Sequence, residues 1–147
     1  MIEFVQMAAE HISEVSEIEK LCFGDPWSIR SIESELNNRL SYWLVAVDRG
    51  RVIGYIGSQS VIDEADIMNV AVHPEHRRMG VGRELVIRLC DHLRAHGISG
   101  VLLEVRVSNT PAISLYENLG FLQVGLRRNY YRNPKEDAKI MRKELQK

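Results

Sequence analysis

Between residues 65 and 107 the chain reads strand, glycine-bearing loop, helix, strand, and few folds accommodate that order. "ADIMNVAV" (65–72) reads as a strand, and "HPEHRRMG" follows it. A helix is predicted from about 80 to 96, with Val81, Leu85, Leu89 and Leu93 on one face at four-residue steps. "GVLLEVRV" (100–107) comes directly after it as the next strand. Such a crossover is expected to be right-handed, with its two strands parallel.

The flanks extend that unit. "IEFVQM" (2–7) alternates as a first strand, and "AEHISEVSEIEKLCF" carries Ile12, Val15, Ile18, Leu21 and Cys22 at helical spacing. "GDPWS" stops that helix, and Ser28 can cap a second one running to about Asn37. "YWLVAV" and "VIGYIGSQSV", split by "DRGR", predict a hairpin. A short helix (110–118) ends at Gly120, in C-cap position, and strands near 121–131 and 138–145 flank the turn "NPKED". The order predicts an α/β fold, a mixed central sheet of about seven strands with about four helices on both faces. No repeat, low-complexity tract or linker interrupts the 147 residues, a length that suits one domain.

Composition narrows the function. A formal net charge of −1 provides no broad field for gripping nucleic acid. No apolar run approaches the roughly 18 residues that span a bilayer, and the N-terminus has no signal-peptide pattern. Cys22 and Cys90 stand far apart in no metal-binding spacing, so a reduced, cytoplasmic setting is expected. The sequence does not fix the oligomeric state, and a monomer is slightly favoured.

Four places resist a purely structural reading. In "RRMGVG", Gly80 and Gly82 let the backbone turn tightly before a helix whose N-terminus carries about half a positive charge, and Arg77 and Arg78 add full charges. Either the loop binds an anion or it is a helix start with solvated arginines. It lacks the lysine and hydroxyl of a nucleoside triphosphate loop, and Leu85 stands where a dinucleotide loop would place its third glycine. Glu104 interrupts "GVLLEVRV", the profile of a strand buried on both faces. Arg106, on the same side, can neutralise it; alternatively, Glu104 is a carboxylate raised by burial and able to accept a proton. Asn69 is similarly out of place in "IMNVAV", although buried asparagines often satisfy backbone groups. Asn109 lies at the C-terminal end of a central strand, where open α/β sheets bind ligands, and the core-facing Tyr116 brings a hydroxyl that needs a partner. The histidines suggest no metal: His92 and His96 are one turn apart without the zinc-helix pattern, and His73 and His76 are loop residues.

Together these segments resemble the GNAT superfamily of acyl-CoA-dependent N-acetyltransferases. "RRMGVG" fits its [QR]-x-x-G-x-[GA] loop, in place between a strand and a helix. "DPWS", "NVAV", "LEVRVSN", "AISLYENLGF" and "RRNYY" make the chain most similar to the branch that acetylates the N-terminal alanine of ribosomal proteins. The resemblance spans nearly the whole length and implies a single GNAT domain over residues 1–147, with acetyl-CoA as cosubstrate and no metal. It implies that Arg77, Arg78, Met79, Gly80, Val81 and Gly82 cradle the pyrophosphate. Val70, Ala71 and Val72 would pair with the pantetheine arm, and Asn109 would hydrogen-bond it. Glu104 would be general base, through water, and Tyr116 general acid. Trp27, Tyr130 and Tyr131 would wall the groove for the acceptor, the N-terminus of a small-subunit ribosomal protein. Direct attack is expected, since neither cysteine lies in a motif for an acyl-enzyme.

Other readings of the same residues remain open. An acetyltransferase for another N-terminus, a lysine or a small amine is one, with Asp63, Glu64 and Asp66 as carboxylates at the mouth. A coenzyme A-binding module without turnover is another, though it would need neither Glu104 nor Tyr116. A structural ribosome-associated protein would want a more basic surface. The roles of Arg127 and Arg128 stay open.

Overall fold

A computed structural model describes residues 1–145 and places seven strands and four α-helices among them. The strands are β1 (Ile2–Gln6), β2 (Ser41–Asp48), β3 (Arg51–Val61), β4 (Glu64–Val72), β5 (Gly100–Arg106), β6 (Leu122–Tyr131) and β7 (Glu136–Glu144). The helices are α1 (Ile12–Cys22), α2 (Ile29–Glu35), α3 (Val81–Ala95) and α4 (Thr110–Asn118). The strands form one mixed sheet in the order β1-β2-β3-β4-β5-β7-β6. As the crossover predicted, β4 and β5 are parallel, with Glu64–Asp66 in register against Gly100–Leu102. Every other registered pair is antiparallel.

The chain forms two compact units. The first holds Met1–Gln59 and Met68–Leu89; the second holds Ser60–Ile67 and the chain from Cys90 onward. In the first, Val15, Ile18, Ile32, Val45 and Tyr55 form the dry centre, with almost no exposure. Two neighbours on β3 show how helices cover both faces of this part of the sheet. Tyr55 donates its hydroxyl to Glu19 on α1. A Cβ on adjacent Gly54 would meet Val81 and Leu85 of α3 at 3.2 and 3.4 Å. Successive strand residues point to opposite faces, so α1 and α3 lie on opposite sides. Cross-strand from β3, the Trp43 indole lies over Gly57, where a Cβ would come within 2.2 Å of the ring.

Local signals in the sequence explain the helix ends. Ser28 caps α2 by accepting from the Ser31 N–H at 3.1 Å, and Asn109 caps α4 by accepting from Ala112 at 3.3 Å. In the second unit Val101, Leu103 and Val105 of β5 are buried, whereas Leu102, Glu104 and Arg106 on the other face are half-open. The expectation of a strand buried on both faces is therefore corrected. Residue 104 can carry a charge because its face is not sealed.

Candidate active site

The loop after β4 turns sharply into α3, though not quite as its glycines suggested. Arg78 (φ 67°) and Gly80 (φ 78°) take the left-handed region, while Gly82 is already inside α3. The turn is thus made at residues 78 and 80, and Gly82 is corrected to a first-turn helical residue. Gly80 O accepts from Glu84 N at 3.0 Å and so opens the helix. The N–H groups of Val81, Gly82 and Arg83 therefore have no intrahelical acceptor. A Cβ at Gly80 would meet nothing within 4 Å, so its glycine serves backbone conformation, not space. Arg77 turns back on its own unit: Nε donates to Val72 O at 3.3 Å and Nη2 to Cys22 Sγ at 3.3 Å. Met79 is exposed on the loop, Val70 and Val72 are half-buried on β4, and Ala71 is buried.

The second unit holds Glu104, Tyr116, Tyr130 and Tyr131. The half-open Glu104 meets Arg127 at 3.2 Å, not Arg106. Arg106 instead bonds Glu136 at 3.1 Å and the carbonyls of Pro134 and Arg132, which holds the β6–β7 turn. Neutralisation of Glu104 by Arg106 is thereby overturned, because the turn supplies Arg106 with closer acceptors. Tyr116 is buried on α4 with its ring 5.6 Å from Phe121, and burial pushes its hydroxyl up to about 12. Beyond Arg127, the register of β6 against β7 shifts, and Asn129 (φ 54°) donates its N–H to Asp137 at 2.8 Å. This irregularity re-aims Tyr130 and Tyr131, whose rings meet edge-on at 5.0 Å. Arg127 lies over the Tyr130 ring at 5.6 Å and Arg106 over the Tyr131 ring at 4.4 Å. Burial pushes Tyr131 up to about 12, and the charges of Tyr130, Glu104 and Tyr116 push the same way. Glu104, Tyr116, Tyr130 and Tyr131 thus form one electrostatic neighbourhood. Asn109 is exposed as the α4 cap.

The carboxylates of a small-amine mouth are largely spoken for. Glu64 holds Arg142 through two bonds of 2.7 and 3.1 Å, and Asp63 accepts from the Ser99 hydroxyl at 3.1 Å. Asp66 is raised, by burial and then Glu64, with Arg127 opposing.

Sequence reasoning missed two buried carboxylates in the first unit. Glu19 accepts from the Trp27 N–H at 2.8 Å, the Tyr55 hydroxyl and the Asn69 amide. Asn69 therefore satisfies a side chain, not the backbone. Glu35 accepts from Ser41, Trp43 and Gln59 at 2.7, 3.1 and 3.1 Å. The available signal was the set of polar partners, Tyr55 and Asn69, inside apolar strands. Trp27 is half-buried, its ring edge-on to Trp43 at 5.5 Å.

Comparison with known proteins decides the family. The profile of the acetyltransferase (GNAT) family matches residues 12–121. The chain belongs to that family. It is 41% identical over 127 residues to the ribosomal protein bS18-alanine N-acetyltransferase of Escherichia coli (strain K12), covering 84% of each chain. It is 36% identical over 146 residues to that of Haemophilus ducreyi (strain 35000HP / ATCC 700724), covering 96% of this chain and 97% of the relative. The crystal structure of the ribosomal-protein-S18-alanine N-acetyltransferase from Escherichia coli superposes with a TM-score of 0.93 at 34% identity. That match covers 100% of this chain and 96% of the other. The mixed sheet is thus the GNAT fold. Among the described residues no helix is long and apolar enough to cross a membrane, and no three His, Cys, Asp or Glu side chains gather as metal ligands.

Proposed function

We propose that this GNAT chain transfers acetyl from acetyl-CoA to the N-terminal alanine amine of ribosomal protein bS18, in the cytoplasm and as one catalytic domain. The observation that carries the chemistry is the neighbourhood of Glu104 and Tyr116, a solvent-reachable carboxylate and a buried phenol kept protonated. The relatives' shared acceptor supports bS18.

The N–H groups opening α3 and the left-handed turn at Arg78 and Gly80 suit a diphosphate, and we assign the pyrophosphate of acetyl-CoA to residues 77–82. Residues 70–72 and Asn109 are assigned to the pantetheine arm. The acceptor must attack as a neutral amine. An α-amino group with a pKa of about 8 loses its proton at pH 7 for roughly 1 to 1.4 kcal/mol, whereas a lysine near 10.4 needs about 4.6. Glu104, directly or through one water, takes that proton as the amine nitrogen bonds the acetyl carbon. The carbon–sulfur bond breaks, and Tyr116 gives its proton to the departing sulfur. Trp27, Tyr130 and Tyr131 wall the acceptor, and alignment of amine and thioester supplies much of the rate. No acyl-enzyme is needed. Cys90 is buried and pushed up to about 11, and burial raises the half-buried Cys22 as well, so neither is a ready thiolate.

Mass spectrometry with acetyl-CoA and two peptides tests this reading. One peptide carries the free N-terminal alanine of bS18; the other is N-terminally blocked with a free lysine. One added acetyl group on the first peptide alone is expected. Labelling of the lysine alone would discard the acceptor, and an acetylated cysteine during turnover would discard direct attack.

A further inference from the structure

Glu19 takes no part in the chemistry above, yet it is the most demanding side chain in the first unit. It is 1% exposed, where a carboxylate is costly unless donors converge on it. Its donors are all neutral and come from three separate segments. The Trp27 N–H binds Oε1 at 2.8 Å, while the Tyr55 hydroxyl on β3 and the Asn69 amide on β4 share Oε2.

Only one of those segments has no regular structure of its own. Residues 23–28 link α1 to α2, and Glu19 holds both ends of their turn. Its backbone carbonyl accepts from Phe23 N at 2.9 Å, and its carboxylate accepts from Trp27 N. A ring of contacts closes around it. Trp27 meets Trp43 edge-on at 5.5 Å, Trp43 stacks on Tyr55 at 6.0 Å, and the Tyr55 hydroxyl returns to Glu19. Glu35 fixes the middle of that ring by accepting the Trp43 indole N–H at 3.1 Å.

We propose that Glu19 is a positioning residue for the acceptor: by clamping the Trp27 main chain to β3 and β4, it sets where the Trp27 ring stands as a wall of the peptide groove. This rests on the assignment of Trp27 to the acceptor made under Proposed function. Glutamine at position 19 would keep an oxygen for Trp27 but turn an NH₂ toward the Asn69 NH₂, donor against donor. The clamp then loses one bond whichever way the amide turns.

The test compares full-length wild type, Glu19→Gln and Tyr55→Phe in steady-state kinetics with the bS18 N-terminal peptide, in acetyl-CoA binding and in acrylamide quenching of tryptophan fluorescence. The chain has two tryptophans, and Trp43 is 3% exposed, so quenching reports on Trp27 without a further mutation. For Glu19→Gln we expect the peptide KM to rise about tenfold, with kcat and the acetyl-CoA Kd within about twofold and quenching increased. Tyr55→Phe, which keeps the ring, should move the same quantities the same way by less, and it carries the test should Glu19→Gln fail to fold. An unchanged peptide KM in a folded variant overturns the proposal. So does a KM that rises in step with the acetyl-CoA Kd, because a general loss of structure would do that. If wild type leaves the peptide unlabelled, the acceptor assignment fails and quenching alone decides. An increase in Glu19→Gln retains the clamp, and an unchanged value overturns it.

Discussion

Glu19 leaves 1% of its surface open and takes three neutral donors, whereas the Glu104 side chain is 26% open and meets one guanidinium. Both carboxylates stand among apolar neighbours, and the difference lies in what each can still do. Every oxygen of Glu19 is engaged, and water is shut out, so it can only hold. Glu104 keeps a route to solvent and an ionic partner that is itself 56% exposed, as the proposed general base requires. A fully satisfied buried network fixes geometry, and a half-open group is the one free to react.

The sharpest way to break that contrast is Glu104→Gln. We expect kcat to fall about 10²- to 10⁴-fold, the usual worth of a general base, with acetyl-CoA binding within about twofold. Calorimetric titration beside steady-state kinetics reads both, and an equal loss in binding would make Glu104 a structural residue like Glu19. Tyr116→Phe comes next, with a loss of about 10²-fold in kcat. Burial raises the Tyr116 hydroxyl to about 12, so its acid form persists well above the ordinary tyrosine value of about 10. The proton is lost only as pH climbs toward 12, and kcat at saturation should therefore show no fall centred near 10. A limb there would remove Tyr116 as the acid.

Glu104 was legible and Glu19 was not, for a physical reason. A carboxylate in "GVLLEVRV" interrupts a run of apolar residues within its own strand, and that short stretch suffices to see it. Glu19 sits in "SEVSEIEK", where acidic residues are what the exposed side of a helix normally carries. Its burial is decided by Tyr55 and Asn69, 36 and 50 residues away. The crossover, the closing hairpin and the cap at Ser28 were legible because each follows from local period or turn chemistry, whereas the cap at Asn109 was not read. The loop was half legible. Its glycines marked a turn, but Arg78, not Gly82, takes the second left-handed position, and single-residue backbone angles are not written in composition. The partner of Glu104 was misread because Arg106, on the same strand face, is drawn off by acceptors about 30 residues away.

Stability measurements sharpen the same contrast at smaller scale. Tyr55→Phe deletes one of three donors to a sealed carboxylate, and we expect a cost of about 1–3 kcal/mol. It would appear as a lower urea midpoint at unchanged slope.

Arg127→Ala removes the one ion-pair partner that Glu104 has among the described residues, yet it should cost no more than about 1 kcal/mol. Water can replace the guanidinium at a side chain already reached by solvent, and salt should shrink the difference further. Part of what remains falls on Asp66, which burial and Glu64 raise and Arg127 lowers. Without Arg127 the Asp66 carboxyl should move further up, so the folded state holds its proton to higher pH than the unfolded chain does. The variant should therefore lie closest to wild type at low pH, where Asp66 is protonated in both states, and fall behind as pH rises through the shifted value. Urea midpoints from about pH 4 to 8 test this. An Arg127→Ala penalty as large as that of Tyr55→Phe, and insensitive to salt and pH, would mean that Glu104 too is a carboxylate that only holds.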